Sequence, residues 1–224
     1  MELKINMSQL VFKFPFKTKY FEQDFYVSSN NFSAYKLIES WPNWPGKWLN
    51  IFGDHGSGKT HLSKILEKKI DKIKLIEANS VNDEIINQLN HLDCLIIENF
   101  KNNIEEKLFY SILNQSKQLE NFILINSVTS IKKNNFLLKD LKSRVNSFLD
   151  IGIELPTDDL LKVIISKSFS DKQIDLSPKI SEYIIKNIDR SYKKIFEFVK
   201  VIDETSLSSG KSININLIKK VLNK

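Results

Sequence analysis

The run Gly53-Asp54-His55-Gly56-Ser57-Gly58-Lys59-Thr60 has the spacing G-x-x-x-x-G-K-[ST], and its chemistry is that of a phosphate cradle. Its glycines let the chain curl until successive backbone N–H groups point inward at the β- and γ-phosphates. Lys59 then sets a positive charge against the same oxygens, and the Thr60 hydroxyl is a ligand for Mg²⁺. A helix carrying His61 in its first turn would add the positive end of its dipole. The competing reading is a chance match in a glycine-containing turn; an apolar strand before the loop and a helical pattern after it speak against chance.

Two other stretches could complete such a site. "CLIIEN" (94–99) reads as a strand buried on both faces that ends in Glu98, a carboxylate placed to hold the metal through water. Asn99 follows, at the position where an acid commonly polarises the attacking water. An amide can orient that water but cannot take its proton, so self-catalysed hydrolysis is expected to be slow or absent. "FILINS" (122–127) ends in Asn126 and Ser127, where a γ-phosphate sensor would sit. The plain alternatives are a strand-end cap for Glu98 and the ordinary polarity of strand ends for the other pair.

The elements that must position these groups alternate along the chain. Strands are expected at 47–53, 73–78, 94–99, 122–127 and 150–155, with helices at 59–70, 81–90 (capped by Asn82), 104–119 and 140–145. Such alternation predicts a parallel α/β sheet flanked by helices, with right-handed crossovers. Beyond Pro156 the period becomes helical throughout, with Thr157 and Ser177 as N-caps and Pro178 at a first helical position. The expected organisation is a tail at 1–20, an α/β nucleotide-binding domain at 21–156 and a small α-helical lid at 157–224.

Composition bounds the rest. The 224 residues suffice for one good core and a satellite subdomain, and 42% hydrophobic with 27% charged residues is ordinary for a globular protein. The single cysteine, Cys94, excludes an internal disulfide framework and suits a reducing cytoplasm. Three scattered histidines make a histidine–cysteine metal site improbable. No apolar run is long enough to span a bilayer, and the first residues lack a signal peptide's apolar core. The net charge of +6 is compatible with contact to nucleic acid, and equally with lysine enrichment from an AT-rich coding sequence.

The order of these motifs, followed by "LKDLKSRV" (138–145) and a helical lid, resembles the AAA+ ATPases. Within them, "DLKSR" is similar to the box of the DnaA initiators that supplies an arginine finger, which implies that role for Arg144. Such an arginine reaches into a neighbouring subunit's nucleotide and raises hydrolysis by about 10³–10⁵; a surface helix arginine is the plain alternative. "DFYVSSNNFSA" (24–34) resembles the DnaA segment lining the adenine pocket, implying contacts from Tyr26, Val27 and Asn31. "ESWPNWPGKWLNIFGDHGSGKTHL" and "SGKSININLIKKVL" are similar to the Hda group of DnaA-homologous regulators, particularly its HdaA form.

The likeness covers nearly the whole chain and implies several partners. "QLVFKF", with Gln9, Leu10, Phe12 and Phe14, resembles the Gln-Leu-x-Leu-x-Leu peptide by which Hda proteins dock on the sliding clamp, the β subunit of DNA polymerase III. An N-terminal edge strand would show the same alternation. A lid residue, Arg190 or Lys193, stands where the family's sensor 2 arginine contacts phosphates. The resemblance thus implies ADP or ATP with Mg²⁺, DnaA and the clamp as partners, and DNA reached through the clamp. It further implies self-association of AAA+ faces and a cytoplasmic, replisome-associated place. The expected function is regulatory inactivation of DnaA; the alternatives are a DnaA/DnaC-type initiation or loading ATPase and, more distantly, a small-molecule kinase.

Overall fold

The computed structural model describes residues 25–172, 174, 176–209 and 213–222. These residues fall into two compact units that meet in sequence at Leu155 and Pro156.

In the first unit, β1 (Trp48–Gly53), β2 (Ile73–Glu77), β3 (Cys94–Phe100), β4 (Phe122–Ser127) and β5 (Leu149–Ile153) form one sheet in the order β2-β3-β4-β1-β5. Every neighbouring pair is parallel. The helices are α1 (Phe32–Glu39), α2 (Lys59–Glu67), α3 (Glu84–Gln88), α4 (Glu106–Gln118) and α5 (Lys139–Val145). Successive side chains of a strand point to opposite faces, and the two cores follow that rule. Leu49, Ile51, Cys94, Ile96 and Leu124 meet Ala34 and Ile38 of α1 and Leu62, Ile65 and Leu66 of α2. On the other face Trp48, Leu95, Ile97, Ile123 and Ile125 meet Phe109, Ile112 and Leu113 of α4 and Leu141 and Val145 of α5. Helices on both faces explain why the central strands β3 and β4 open on unbroken apolar runs. Each buried Leu, Ile, Val or Phe side chain in these cores contributes about 1.5–3 kcal/mol by leaving water.

Several boundaries differ from expectation; α2, for example, ends at Glu67 and β3 runs on to Phe100. The helix expected at 81–90 is a five-residue α-helix, α3, followed by a 3₁₀ turn. Its N-cap is Asp83, not Asn82, whose backbone carbonyl instead accepts from Ile85 N at 3.2 Å. β5 stops at Ile153 because Glu154 turns away to another partner: its N–H donates to Asn30 O, and Asn30 Nδ2 donates back to Glu154 O, each at 3.2 Å. α4 begins at Glu106, since the backbone of Glu105, its N-cap, is not helical (φ −56°, ψ 132°).

The second unit is helical: α6 (Asp158–Ser170), α7 (Pro178–Asn187), α8 (Tyr192–Ser209) and α9 (Ile215–Leu222). Its own core gathers Leu161, Ile165, Phe169, Ile184, Ile195 and Ile218. Thr157 caps α6, its Oγ1 accepting from Leu160 N at 3.4 Å. Ser177 holds the N-cap position of α7 ahead of Pro178, but its hydroxyl makes no capping bond. Among the described residues no helix is long and apolar enough to cross a membrane.

Candidate functional site

The register of the sheet brings separate motifs to one edge. Ile51 pairs with Asn126 and Phe52 with Ser127, while Ile97 pairs with Ile125 on the opposite side of β4. The end of β4 therefore lies between the ends of β1 and β3, at the carboxyl edge where open parallel sheets bind ligands.

The loop after β1 takes the shape its glycines permit. Gly56 and Gly58 have φ of 84° and 95°, which side-chain-bearing residues rarely adopt. A Cβ on Gly53 would stand 2.8 Å from Ile153 O, so the loop starts hard against β5. A Cβ on Gly58 would stand 2.9 Å from the Phe25 ring. Phe25 is itself stacked on Tyr35, with centroids 5.7 Å apart, and meets His61 edge-on at 5.3 Å. Phe25 is not among the residues expected from sequence to contact adenine, although it lies within the segment 24–34 that resembles the adenine-pocket lining.

Lys59 is folded into the loop. Its Nζ donates to Gly53 O at 2.7 Å, Asp54 O at 2.8 Å and Ser57 Oγ at 3.3 Å. Burial lowers its pKa below the ordinary 10.5, and the charges of Glu98 and Asp54 partly oppose that shift. His55 is exposed, and its backbone N–H donates to Asp54 Oδ1 at 2.8 Å.

Glu98 is 2% exposed and both its oxygens are engaged. Thr60 Oγ1 donates to Oε2 at 3.0 Å, and Asn126 Nδ2 donates to Oε1 at 2.8 Å. Asn126 Nδ2 also donates to Ser63 Oγ, one turn along α2 from Thr60, at 2.8 Å. Its Oδ1 is buried without a protein partner, an acceptor available to water. Ser127 lies deeper in structural bonds, accepting from Asn50 Nδ2 at 2.9 Å and donating to Thr129 O at 2.7 Å. The sequence expectation therefore brings Lys59, Thr60, Glu98 and Asn126 together; Ser63 joins them unforeseen. A lone hydroxyl on the buried face of α2 was its only trace. Two hard oxygens 3.0 Å apart beside an inward lysine suit a polyphosphate carrying a hard cation. No group of three or more His, Cys, Asp or Glu among the described residues could hold a metal, so such a cation would lean on phosphate oxygens.

Other expected site residues are differently placed. Asn99 is exposed at φ 57°, where the β3–β4 register shifts, and its Nδ2 donates to Glu77 Oε2 of β2 at 2.9 Å. Asn31 is 4% exposed and shapes its loop: Oδ1 accepts from Ser28 N and Nδ2 donates to Tyr26 O, each at 2.9 Å. Tyr26 is exposed and Val27 half-buried on that same loop. Arg144 is half-buried near the end of α5, its Nη2 donating to Asn114 Oδ1 of α4 at 2.7 Å. In the helical unit Arg190 pairs with Asp158 at 2.9 Å and Lys193 with Glu197 at 3.8 Å, all on the surface. Gln9, Leu10, Phe12 and Phe14 lie outside the described residues.

No family model matches the chain. Two chromosomal replication initiator proteins DnaA, from Buchnera aphidicola subsp. Cinara cedri and subsp. Baizongia pistaciae, are 29% and 28% identical to it. They align over 86% and 96% of this chain and 49% and 53% of their own lengths. The chain thus spans about half the length of the curated relatives it matches. Domain III of Thermotoga maritima DnaA superposes with a TM-score of 0.72 at 19% identity, covering 94% of this chain and 98% of that domain. DnaA from Aquifex aeolicus bound to AMPPCP superposes with a TM-score of 0.67 at 21% identity, over 85% of this chain and 67% of that one. The fold is that of the AAA+ proteins.

Proposed function

We propose, for a chain homologous to the ATPase core of the DnaA initiators, that it is a nucleotide-holding regulator whose bound nucleotide shapes it while the hydrolysis that matters occurs on a partner. ADP or ATP sits on the loop Gly53–Thr60, with Tyr26 and Val27 on the adenine side. Mg²⁺ would lie near Thr60 and Glu98 and supply charge neutralisation for the phosphates. Residues 9–14 dock on the DNA-loaded sliding clamp, and Arg144 completes the hydrolytic site of ATP-bound DnaA, leaving it in the ADP form. Re-initiation is thereby prevented.

The observation that carries the reading is the pair Glu98–Asn99. Glu98 is held by Thr60 and Asn126, whereas the residue beside it is an amide bonded to Glu77, so position 99 supplies no acid to take a proton from water. The AMPPCP bound by the Aquifex DnaA supports an adenine nucleotide here.

A second reading, an initiation or helicase-loading ATPase, is favoured by the fact that the two Buchnera relatives are replication initiators. A pull-down on clamp-loaded DNA separates the two. The regulatory reading expects retention that Gln9→Ala with Leu10→Ala abolishes; equal retention of wild type and variant, or none by either, favours the second reading.

A further inference from the structure

Arg144 belongs to a short helix whose two ends are both fastened to α4. At the start, Leu137 N and Leu138 N donate to Glu106 Oε1 and Oε2 at 3.0 and 2.7 Å. In the middle, Leu141 and Val145 are buried with Phe109, Ile112 and Leu113. At the far end Arg144 Nη2 meets Asn114 Oδ1 at 2.7 Å. Glu106 and Asn114 are about two helical turns apart on α4. The backbone of α5 is therefore fixed by its cap and by packing. What remains adjustable is the long, flexible arginine side chain, and its one bond among the described side chains is to Asn114.

The chemistry of that partner matters. A guanidinium has five N–H donors in a rigid fork, so one bond orients the plane and leaves the other donors for a phosphate. An amide oxygen orients without cancelling charge; a carboxylate would do both. The geometry points to Asn114 as a positioning residue that aims the Arg144 guanidinium outward from α4. This rests on the arginine-finger reading of Arg144 given above.

The test uses the full chain with clamp-loaded DNA and ATP-bound DnaA, comparing Asn114→Ala, Asn114→Gln and Asn114→Asp with Arg144→Ala. Thermal melts of each variant establish that it is folded. Asn114→Ala lowers the maximal rate of DnaA-bound ATP hydrolysis about tenfold, as expected for a catalytic group displaced by a fraction of an ångström to an ångström. The concentration giving half-maximal stimulation stays unchanged, because docking is untouched. Asn114→Gln, which keeps the amide oxygen, recovers most of the rate, and Asn114→Asp falls further than alanine because it neutralises the guanidinium. In the chain alone, the Arg144 Nη resonances exchange faster in Asn114→Ala than in wild type. If Arg144→Ala is inactive while Asn114→Ala and Asn114→Asp match wild type, the positioning role is wrong and the finger reading stands. Faster hydrolysis with Asn114→Ala would make the bond a restraint and overturn the proposal as well. If Arg144→Ala itself matches wild type, the finger reading falls and takes the proposal with it. The NMR arm then still reports whether the bond constrains the side chain.

Discussion

Glu98 and Arg144 are the two charged side chains on which the functional reading turns, and the molecule treats them differently. Glu98 sits at the end of a buried strand, with Thr60 and Asn126 each donating to one of its oxygens and Ser63 tied into the same cluster. Arg144 sits on a seven-residue helix, half-buried, with one neutral partner among the described residues. The difference follows from desolvation. A carboxylate taken out of water must have its lone pairs matched or the fold fails, whereas a guanidinium with solvent access can keep its donors unspent. Groups needed within the chain are built in, and a group meant for another molecule can be left underused.

The largest effect expected is on binding. Lys59→Ala removes the loop's positive charge and weakens adenine nucleotide affinity by about 100-fold, the scale of a charge-assisted bond of ~3 kcal/mol; calorimetry with ADP and ATP measures it. The same lysine gives a pH signature. Burial depresses its free-state pKa below 10.5, and phosphate charge in the complex raises it again. The complex then holds a proton that the free protein has begun to lose, so affinity is level at lower pH and declines as pH rises past the free-state pKa. Affinity that strengthens on alkalinisation would contradict the assignment.

Stability measurements sharpen the contrast. Asn126→Leu strips a donor from Glu98 and from Ser63 together, and should cost about 2–3 kcal/mol in denaturant unfolding. A cost no greater than that of Arg144→Ala, expected within about 0.5 kcal/mol of zero, would erase the distinction drawn between the two regions. Between these lies Asn99→Asp. It sets a carboxylate against Glu77 Oε2, now 2.9 Å from the Asn99 amide, and should destabilise by about 0.5–1 kcal/mol on the exposed edge. Glu77→Gln in the same chain should restore the loss; a double variant as weak as the single one would remove like-charge repulsion as its cause.

The loop Gly53–Thr60 was legible in the sequence because its function demands residue types at fixed local spacing. The central strands β3 and β4 were legible because burial on both faces leaves an uninterrupted apolar run, and β4 begins and ends where its composition changes. What was not legible depends on sheet order. Alternation of strands and helices does not say that β4 lies between β1 and β3. Without that order, nothing brings Asn126 to Ser63, or Asn99 to Glu77 of the neighbouring strand. The sequence offers Asn31 as an adenine contact; that its amide also satisfies the backbone of its own loop is a bond that only the folded turn creates. β5 ended early for a similar reason, because Asn30, far away in sequence, takes Glu154. A single cysteine suits a reducing compartment. Its place in the core, where burial pushes the thiol pKa up, adds that Cys94 should react with thiol reagents only on unfolding.

One measurement addresses the central claim directly. In a single-turnover reaction on clamp-loaded DNA, radiolabelled ATP is placed on either DnaA or this chain, with unlabelled nucleotide on the other. The account predicts that label on DnaA is converted to ADP at a rate set by Arg144, while label on this chain persists over the same interval. Prompt loss of the label from this chain, with that on DnaA unaffected by its presence, would contradict it.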